Sequence, residues 1–440
     1  MKKLLRNFML ALLLSVQLPM VAGLYTNQAS AQGVTFEKKL KALPGVLEVN
    51  KLKCDTFYKE KYLVRMKQWI DPKDTLVGWF SQRIWVMHLD LNRPVVLTTE
   101  GYMGDYAGRS RYIDEVAEIV GGNNIFVEHR YFGESTPKNP EWKYLTAENS
   151  AADHHHVVEI FKTIYKKKWI NTGVSKGGQT ALIHRYFYPK DVDISVCYVA
   201  PLNYGLEDGR HEPFIDNVAT AEDRKAVRDF QLQVLKRRKT LMPLFKEFCD
   251  KSNYTFNIPL EEVYDYCVLE YSFSFWQWGF PVSSVPGVKA KDNELLDHLF
   301  EVCSPDYFSH QGIGSTQAFF VQAAHELGYY GYDTKPFEKY LAIKSAKGYL
   351  NKIFMPKDYS VKFDSTLSQN LKKFVEEKDL KMMFIYGEYD PWTAPGVTFE
   401  KKRNMVRHVC PGGSHNSRIR TFSEEEQKKI TGRLKVWLED

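Results

Sequence analysis

Short apolar runs rich in β-forming residues alternate with helical runs between residues 83 and 205, and this alternation restricts the fold more than any other feature of the chain. The strand-like runs are RIWVMHLD, RPVVLTTEG, NNIFVEHRYFG, KWINTGVSKGG and DISVCYVAPLN, and a clear helical run is AENSAADHHHVVEIFKTIYKKK. Apolar strands separated by helices predict an α/β fold with a mostly parallel sheet and helices on both faces. In such sheets, functional residues gather at the carboxyl ends of the strands.

A long helical block interrupts this pattern. From about residue 204 to residue 355 the periodicity is helical, in runs such as AEDRKAVRDFQLQVLKRRKTLMPLFKEFCDK and LEEVYDYCVLEYSFSFWQW. Strand-like runs return with LKMMFIYGEYDPW and NMVRHVCPGGSHN, and Ser423-x-x-Glu426 is typical of the start of a final helix. We therefore predict an α/β domain formed by residues 32–204 and 356–440, with residues 205–355 inserted as a helical cap.

The first residues have the pattern of a secretory signal peptide. Lys2, Lys3 and Arg6 precede a short apolar run, and Ala29-Ser30-Ala31 offers a cleavage site. A cut after Gly23 is an open alternative. The apolar run is too short for a membrane span, and no later segment approaches the roughly 18 apolar residues that a span needs. We predict a signal peptide over residues 1–31, a periplasmic or secreted product and no integral membrane span.

The charge balance argues against a nucleic-acid partner. The formal net charge is +6, and because residues 1–31 carry three positive charges and no negative ones, the predicted mature chain has +3. A nucleic-acid-binding domain normally shows a much stronger basic bias. We interpret the lysine runs at 166–168 and 401–403 as solvated faces.

Cysteines and histidines give no pattern of a metal site. In an oxidising compartment we expect some of the six cysteines to pair, with a pairing that the sequence leaves open. They are Cys54, Cys197, Cys249, Cys267, Cys303 and Cys410. The run His154 to His156 cannot converge on one ion in a helix, because successive side chains point about 100° apart, and we interpret it as a helix surface. No phosphate-binding or dinucleotide-binding loop is present, and no cofactor is predicted.

Ser175 lies in the pattern Gly173-Val174-Ser175-Lys176-Gly177, between the apolar strand residues of WIN and the helical run QTALIHRYF. This strand-to-helix context, with small flanking residues, is typical of a nucleophilic serine on a strained turn. A serine hydroxyl needs a histidine to take its proton, and the histidine needs an acid to orient it.

Both partners follow in the order that α/β hydrolases use, nucleophile, acid and then histidine. Asp390 lies just beyond the strand in FIYGEYDPW, and His415 lies in the glycine-rich loop of HVCPGGSHN. Glu388 is the rival acid and His408 the rival base, although His408 lies within its strand. We predict the triad Ser175, Asp390 and His415.

The oxyanion of such a reaction is held by backbone N–H groups. The first predicted donor is the N–H of Lys176, which follows the nucleophile. The second is the N–H of Tyr102 in the loop TTEGYMGD, where Gly101 and Gly104 allow close approach.

Several segments together resemble the α/β-hydrolase serine exopeptidases of the group that contains prolyl carboxypeptidase and dipeptidyl peptidase II. They are EHRYFGES at 128–135, LTAENSAADH at 145–154, GEYDPW at 387–392, GGSHN at 412–416 and VQAAHELGYYGYD in the helical block. The residues that flank Ser175, Val174 and Lys176, depart from the Gly-Gly-Ser-Tyr-Gly-Gly of that group. Together with the bacterial type of signal peptide, this is more similar to the sister family of secreted bacterial tripeptidyl aminopeptidases.

The resemblance implies a serine aminopeptidase on an α/β-hydrolase fold with a helical cap and a peptide substrate, with proline at the cleaved bond as a candidate preference. An aminopeptidase must hold a free α-ammonium, which needs a carboxylate in a partly buried pocket. Glu326 in the cap is the first candidate and Glu100 the second. The aromatic run at 273–280 is a candidate pocket wall or plain cap core. An esterase or lipase, and a catalytically silent binding protein on the same fold, are the alternatives, and the oligomeric state stays open.

Overall fold

A nine-stranded sheet forms the centre of the molecule. The computed structural model describes residues 35–440, so the predicted signal peptide lies outside the described residues. The strands in chain order are β1 Val46–Leu52, β2 Glu60–Trp69, β3 Trp79–His88, β4 Val95–Thr99, β5 Asn123–Val127, β6 Trp169–Val174, β7 Ile194–Tyr198, β8 Glu207–Asp208, β9 Tyr329–Tyr330, β10 Met382–Gly387 and β11 Met405–Cys410. Their order across the sheet is β1-β2-β3-β5-β4-β6-β7-β10-β11, and β8 and β9 form a separate pair.

Most neighbouring strands of the large sheet run parallel. The pairs from β5 through β4, β6, β7 and β10 to β11 are parallel, whereas β1/β2, β2/β3 and β3/β5 are antiparallel. Every residue of β4, β5, β7 and β10 is buried, as expected for parallel strands that are covered on both faces. The register pairs Val174 with Tyr198 and Gly387 with Cys410, so these strands end at one edge. The predicted α/β-hydrolase fold with a mostly parallel sheet is confirmed.

Helices cover both faces of this sheet and fill the long connection between β7 and β10. The helices are α1 Phe36–Lys41, α2 Glu115–Val120, α3 Ala147–Phe161, α4 Lys176–Phe187, α5 His211–Ile215, α6 Ala221–Lys236, α7 Arg238–Lys251, α8 Leu260–Trp278, α9 Asp292–Val302, α10 His310–Ile313, α11 Gln317–Gln322, α12 Tyr349–Phe354, α13 Thr366–Glu377 and α14 Glu424–Glu439. On one face α2 and α14 pack against the sheet. On the other face α1, α3, α4 and α13 do so.

The helices α5–α12 share one hydrophobic core, to which Tyr131, Phe132 and Leu145 of the α/β part also belong. Buried side chains of α6, α7, α8 and α9 form its centre, and Trp392 of the loop after β10 joins it. A single π-helical turn, Ala323–Leu327, follows α11. The boundaries of the cap at residues 205 and 355 stay a prediction.

The cysteines differ from the expectation of disulfide pairs. All six are free thiols, and five of them are buried. They lie on separate elements, but the thiol of Cys303, which directly follows α9, is hydrogen-bonded to Cys267 of α8. Within the part of the chain that the structure describes, no helix is long and apolar enough to cross a membrane.

Candidate active site

Ser175 occupies a strained turn between β6 and α4. Its backbone has φ 58° and ψ −123°, which is a conformation that costs a non-glycine residue about 1–3 kcal/mol. The Ser175 N–H donates to the carbonyl of Tyr198 at 2.9 Å, and the Ser175 carbonyl accepts from the N–H of Gln179 at 2.9 Å. These two hydrogen bonds, one to the last residue of β7 and one within α4, therefore stabilise the strained backbone conformation of Ser175.

The flanking glycines are required by close backbone approach. A Cβ atom on Gly173 would lie 2.2 Å from the carbonyl oxygen of Gly177, and one on Gly177 would lie 2.7 Å from the carbonyl oxygen of Thr99. Any side chain at either position would overlap backbone atoms. The glycines of the sequence pattern thus allow the turn that presents Ser175.

Asp390 and His415 form a buried hydrogen-bonded pair. Nδ1 of His415 lies 2.7 Å from Oδ2 of Asp390, and both side chains are buried. The other carboxylate oxygen, Oδ1, accepts from the N–H of Trp392 at 3.1 Å. Because Asp390 accepts from Nδ1, the second ring nitrogen, Nε2, is the one that remains able to accept a proton.

Ser175, Asp390 and His415 follow β6, β10 and β11, and all three therefore lie at the carboxyl edge of the parallel strands. The aromatic side chains of Trp278 and Trp392 lie beside the His415 ring, with ring centroids 5.8 Å and 6.4 Å away. The structure places the three predicted triad residues at one edge, and it joins the acid to the histidine directly.

The rival acid and base have other partners. The carboxylate of Glu388 accepts from the N–H of Gly412 at 2.6 Å. The ring of His408 lies within β11, with Nδ1 3.4 Å from a carboxylate oxygen of Glu426 in α14. These contacts favour Asp390 and His415 over both rivals.

The two predicted oxyanion donors differ in their surroundings. Lys176 is the first residue of α4, where backbone N–H groups have no partner within the helix. The loop after β4 lies against this helix start, since a Cβ on Gly101 would lie 2.7 Å from the Gly177 nitrogen. However, the Tyr102 N–H donates to Oε1 of Glu100 at 3.0 Å. Lys176 and Tyr102 stay predictions for this role.

The two candidate carboxylates for an α-ammonium are both largely buried. Oε1 of Glu326 accepts from the N–H of Ala147 at 2.6 Å, which joins the cap to the start of α3. Burial raises the pKa of Glu326 to about 7. The Glu100 carboxylate accepts from the Tyr102 N–H and from the hydroxyl of Tyr106, and burial raises its pKa as well.

The aromatic run at 273–280 reaches the site from the cap. The Phe273 ring stacks on Tyr330 at 3.6 Å and lies edge-on to Trp392 at 5.4 Å. The carbonyl of Gln277 accepts from the backbone N–H of His415 at 2.8 Å. Phe273, Phe275 and Trp276 are buried in the core of the cap, which agrees with the interpretation of this run as cap core. Nothing in the sequence indicated that the Gln277 carbonyl would hold the loop of His415.

The consecutive histidines of α3 have three different partners. Nδ1 of His154 lies 2.6 Å from the Ser150 carbonyl, that of His155 2.8 Å from Asp191, and that of His156 2.8 Å from Gln68. His154 is fully buried, so its interpretation as a surface residue was wrong. Among residues 35–440 no group of three histidine, cysteine or acidic side chains could hold a metal ion.

A comparison with protein families agrees with this geometry. The profile of the family described as PS-10 peptidase S37 matches residues 29–439. The chain belongs to peptidase family S37. This S37 peptidase is therefore a serine peptidase of the α/β-hydrolase type.

Individual relatives cover the chain to different extents. The prolyl tri/tetrapeptidyl aminopeptidase of Streptomyces mobaraensis is 29% identical over 454 residues, which covers 99% of this chain and 92% of that protein. Prolyl carboxy peptidase like protein 5 of Caenorhabditis elegans is 27% identical over 147 residues, which covers 30% of this chain and 29% of that protein. The solved structure of proline iminopeptidase from Mycobacterium smegmatis is 13% identical with a TM-score of 0.41, and the match covers 85% of this chain and 97% of that one.

Proposed function

We propose that this S37 peptidase releases short peptides from the free amino termini of peptide substrates, with Ser175 as nucleophile, His415 as base and Asp390 as the acid that orients His415. The observation that carries this proposal is the 2.7 Å bond between Asp390 and His415 at the sheet edge where Ser175 occupies its strained turn. No cofactor takes part in the proposed reaction.

The proposed reaction proceeds through an acyl-enzyme. Oγ of Ser175 bonds to the scissile carbonyl carbon while its proton passes to Nε2 of His415, and the carbonyl oxygen takes the negative charge. The C–N bond then breaks, and the leaving amine takes the proton from His415. Water repeats the sequence on the ester and restores the Ser175 hydroxyl. Asp390 stabilises the His415 cation in both halves.

The oxyanion would be held by the backbone N–H groups of Lys176 and Tyr102. For Tyr102 this requires that its N–H exchange the Glu100 carboxylate for the oxyanion. Such donors are each worth about 3–4 kcal/mol of transition-state stabilisation. Gly101 lets the loop after β4 approach the start of α4, and this supports the placement of both N–H groups beside Ser175.

Recognition of a free amino terminus is proposed for the cap. An ammonium in a partly buried pocket needs a carboxylate partner, and Glu326 supplies one from the π-helical turn while Glu100 is the second candidate. The name of the Streptomyces relative, a prolyl tri/tetrapeptidyl aminopeptidase, supports the release of tripeptides or tetrapeptides, with proline at the cleaved bond. From the aromatic run at 273–280, the partly exposed ring of Trp278 lies beside His415 and is suited to pack against a proline ring or another apolar side chain.

The proposed place of action is the periplasm or the medium. This part of the proposal rests on the sequence pattern of residues 1–31, with its basic start, apolar run and Ala-Ser-Ala site. Peptides are the proposed partners.

A matched pair of peptides tests the proposal. The two peptides have the same sequence and differ only in an acetyl group on the amino terminus. We expect the wild type to cleave the free peptide, with the first three or four residues released, and to leave the acetylated one almost intact. Equal cleavage of both would contradict an aminopeptidase. Glu326→Gln is expected to lose the preference for the free peptide. If Glu326→Gln keeps this preference, loss of it in the matched variant Glu100→Gln would identify Glu100 as the ammonium site.

A further inference from the structure

Tyr198, the last residue of β7, contacts groups on both sides of the candidate site. Its backbone carbonyl accepts from the Ser175 N–H at 2.9 Å. Its hydroxyl donates to Oε2 of Glu115 at 2.7 Å, and the guanidinium of Arg418 lies over its ring, with Cζ 5.6 Å from the ring centroid. Tyr198 is buried, so these contacts are made away from solvent. One residue therefore joins the turn of the nucleophile to two charged side chains from other segments.

The first of these side chains, Glu115, binds the loop that follows β11. Oε2 of this buried carboxylate accepts from the Tyr198 hydroxyl and from the N–H of Ile419, the latter at 3.1 Å. Oε1 accepts from the N–H and from Nε of Arg420, at 3.0 Å and 2.9 Å. The start of α2 does not require this carboxylate, because the side chain of Asp114 caps the helix. The donors that compensate the burial of Glu115 come from β7 and from the loop of His415.

The second of these side chains, Arg418, binds the same loop at His415 itself. Nη1 of Arg418 donates to the carbonyl of His415 at 3.2 Å and to the carbonyl of Ser417 at 2.7 Å. The N–H of His415 is bonded to the Gln277 carbonyl, and its ring is bonded to Asp390. The N–H, the side chain and the carbonyl of His415 are therefore each held by a different segment, and Arg418 holds the carbonyl.

We infer that Glu115 and Arg418 are positioning residues for the triad. Through their shared contact with Tyr198, they set the distance between the loop of His415 and the turn of Ser175. The inference rests on the proposed function, because it takes Ser175 as nucleophile and His415 as base. The distance matters because the proton of the serine can pass to Nε2 only within hydrogen-bond reach. A misplacement of about 1 Å can lower the rate of such a step by about 100-fold.

Arg418→Met tests the bond to the His415 carbonyl. Methionine fills part of the same space but donates no hydrogen bond, so the loop of His415 can shift. We expect kcat per active site to fall about 10- to 100-fold while KM stays within about twofold of the wild-type value, because proton transfer is impaired and substrate binding is not. The loss should be equal on a peptide and on a small acyl ester, since the triad acts on both. Arg433→Met, at an exposed arginine of α14, is the control and is expected to keep wild-type kcat.

Glu115→Gln tests the other connection. The amide NH2 group would face the N–H of either Ile419 or Arg420, so part of the loop loses its acceptor. We expect a loss of kcat per site of about 10- to 100-fold here as well. Glu118→Gln, at an exposed position of the same helix, is the matched control and is expected to keep wild-type kcat. In the double variant of Glu115→Gln and Arg418→Met the two losses should not multiply, because both displace one loop. Losses that multiply in full would indicate two independent effects and overturn the inference.

Labelling with a fluorophosphonate separates a positioning role from a purely structural one. Labelling to completion counts the folded active sites, and the rate of labelling reports the activation of the serine without a bound peptide. A purely structural role would lower the number of sites or the free energy of unfolding, and it would leave kcat per site and the labelling rate unchanged. That result in Glu115→Gln and in Arg418→Met overturns the inference.

Tyr198→Phe keeps the test decisive if either of these variants fails to fold. It removes only the hydroxyl, and it keeps the ring below Arg418 and the backbone bond to Ser175. We expect kcat per site to fall about threefold to tenfold, the loss that corresponds to one hydrogen bond. An unchanged kcat per site in Tyr198→Phe overturns the connection through Tyr198.

The same labelling distinguishes failure of the inference from failure of the proposed function. If the wild-type adduct lies on a serine other than Ser175, the proposed function is wrong. If the adduct lies on Ser175 and the variants Glu115→Gln and Arg418→Met are labelled at the wild-type rate, the proposed function stands and the positioning roles are wrong.

Discussion

At the scale of single residues, the orientation of His415 depends on the carboxylate of Asp390, both oxygens of which accept hydrogen bonds. Oδ2 of Asp390 binds Nδ1 of His415, and Oδ1 accepts from the Trp392 N–H. The second bond fixes the carboxylate on its turn, so the first can select the tautomer in which Nε2 accepts a proton. Glu388, two residues away, is turned to the N–H of Gly412.

Asp390→Asn is expected to lower kcat by about 10⁴-fold while the protein stays folded. The asparagine amide would donate to Nδ1, which places the proton on Nε2 and removes the base. Glu388→Gln is the matched control and is expected to keep wild-type kcat. Steady-state kinetics on one peptide substrate measure both variants. A larger loss of kcat in Glu388→Gln than in Asp390→Asn would mean that Glu388, and not Asp390, is the acid that orients His415.

At the scale of elements, the turn between β6 and α4 is determined by glycine contacts. Gly173→Ala would place its Cβ 2.2 Å from the carbonyl oxygen of Gly177. We expect this variant to be strongly destabilised and inactive. Gly432 in α14 is the matched control, because nothing lies within 4 Å of an added Cβ. Gly432→Ala is expected to gain about 0.5–1 kcal/mol in free energy of unfolding. Urea unfolding measures both, and a tolerated Gly173→Ala would show that the turn can relax.

Two of the family motifs form a buried ion pair that joins the loop after β5 to α3. Arg130 of EHRYFGES donates to both carboxylate oxygens of Asp153 in α3, at 2.7 Å and 2.8 Å, and both side chains are buried. Its remaining N–H groups donate to the carbonyls of Trp69, Ile70 and Tyr144. These motif residues hold the scaffold together and take no part in the proposed chemistry.

Arg130→Met is expected to lower the free energy of unfolding by about 3–5 kcal/mol, because it leaves Asp153 buried without a counter-charge. The exposed pair Lys225 and Asp229 in α6 provides the control. Lys225→Ala is expected to cost less than about 1 kcal/mol. Chemical denaturation of the two variants gives the comparison, and equal losses would mean that the buried pair contributes no more than a surface one.

At the scale of the whole molecule, the parallel strands and the antiparallel strand β3 could be predicted from sequence, whereas the antiparallel strands β1 and β2 were not. Strands such as β7 and β10 are continuous apolar runs between helices. In β2, EKYLVRMKQW, buried and partly exposed residues largely alternate. Because charged side chains interrupt the apolar ones, this strand does not form the continuous apolar run that identifies a buried parallel strand.

The candidate site shows the same limit. Ser175, Asp390 and His415 follow strands and could be assigned from local patterns. The contact from Gln277 to His415 joins positions far apart in the chain. Such contacts have no local sequence signal, because they arise only when the cap and the sheet pack together. The contact between the free thiols of Cys267 and Cys303 likewise joins two helical segments and has no local sequence signal.

The central claim is that Ser175 is the nucleophile of a serine peptidase. Mass spectrometry of the enzyme after reaction with a fluorophosphonate tests it most directly, because the reagent bonds to an activated serine oxygen. We expect one adduct per chain, located by peptide mapping at Ser175, no adduct in Ser175→Ala, and strongly slowed labelling in Asp390→Asn. An adduct on a different serine, or a Ser175→Ala variant that is labelled and cleaves peptides like the wild type, would contradict the assignment.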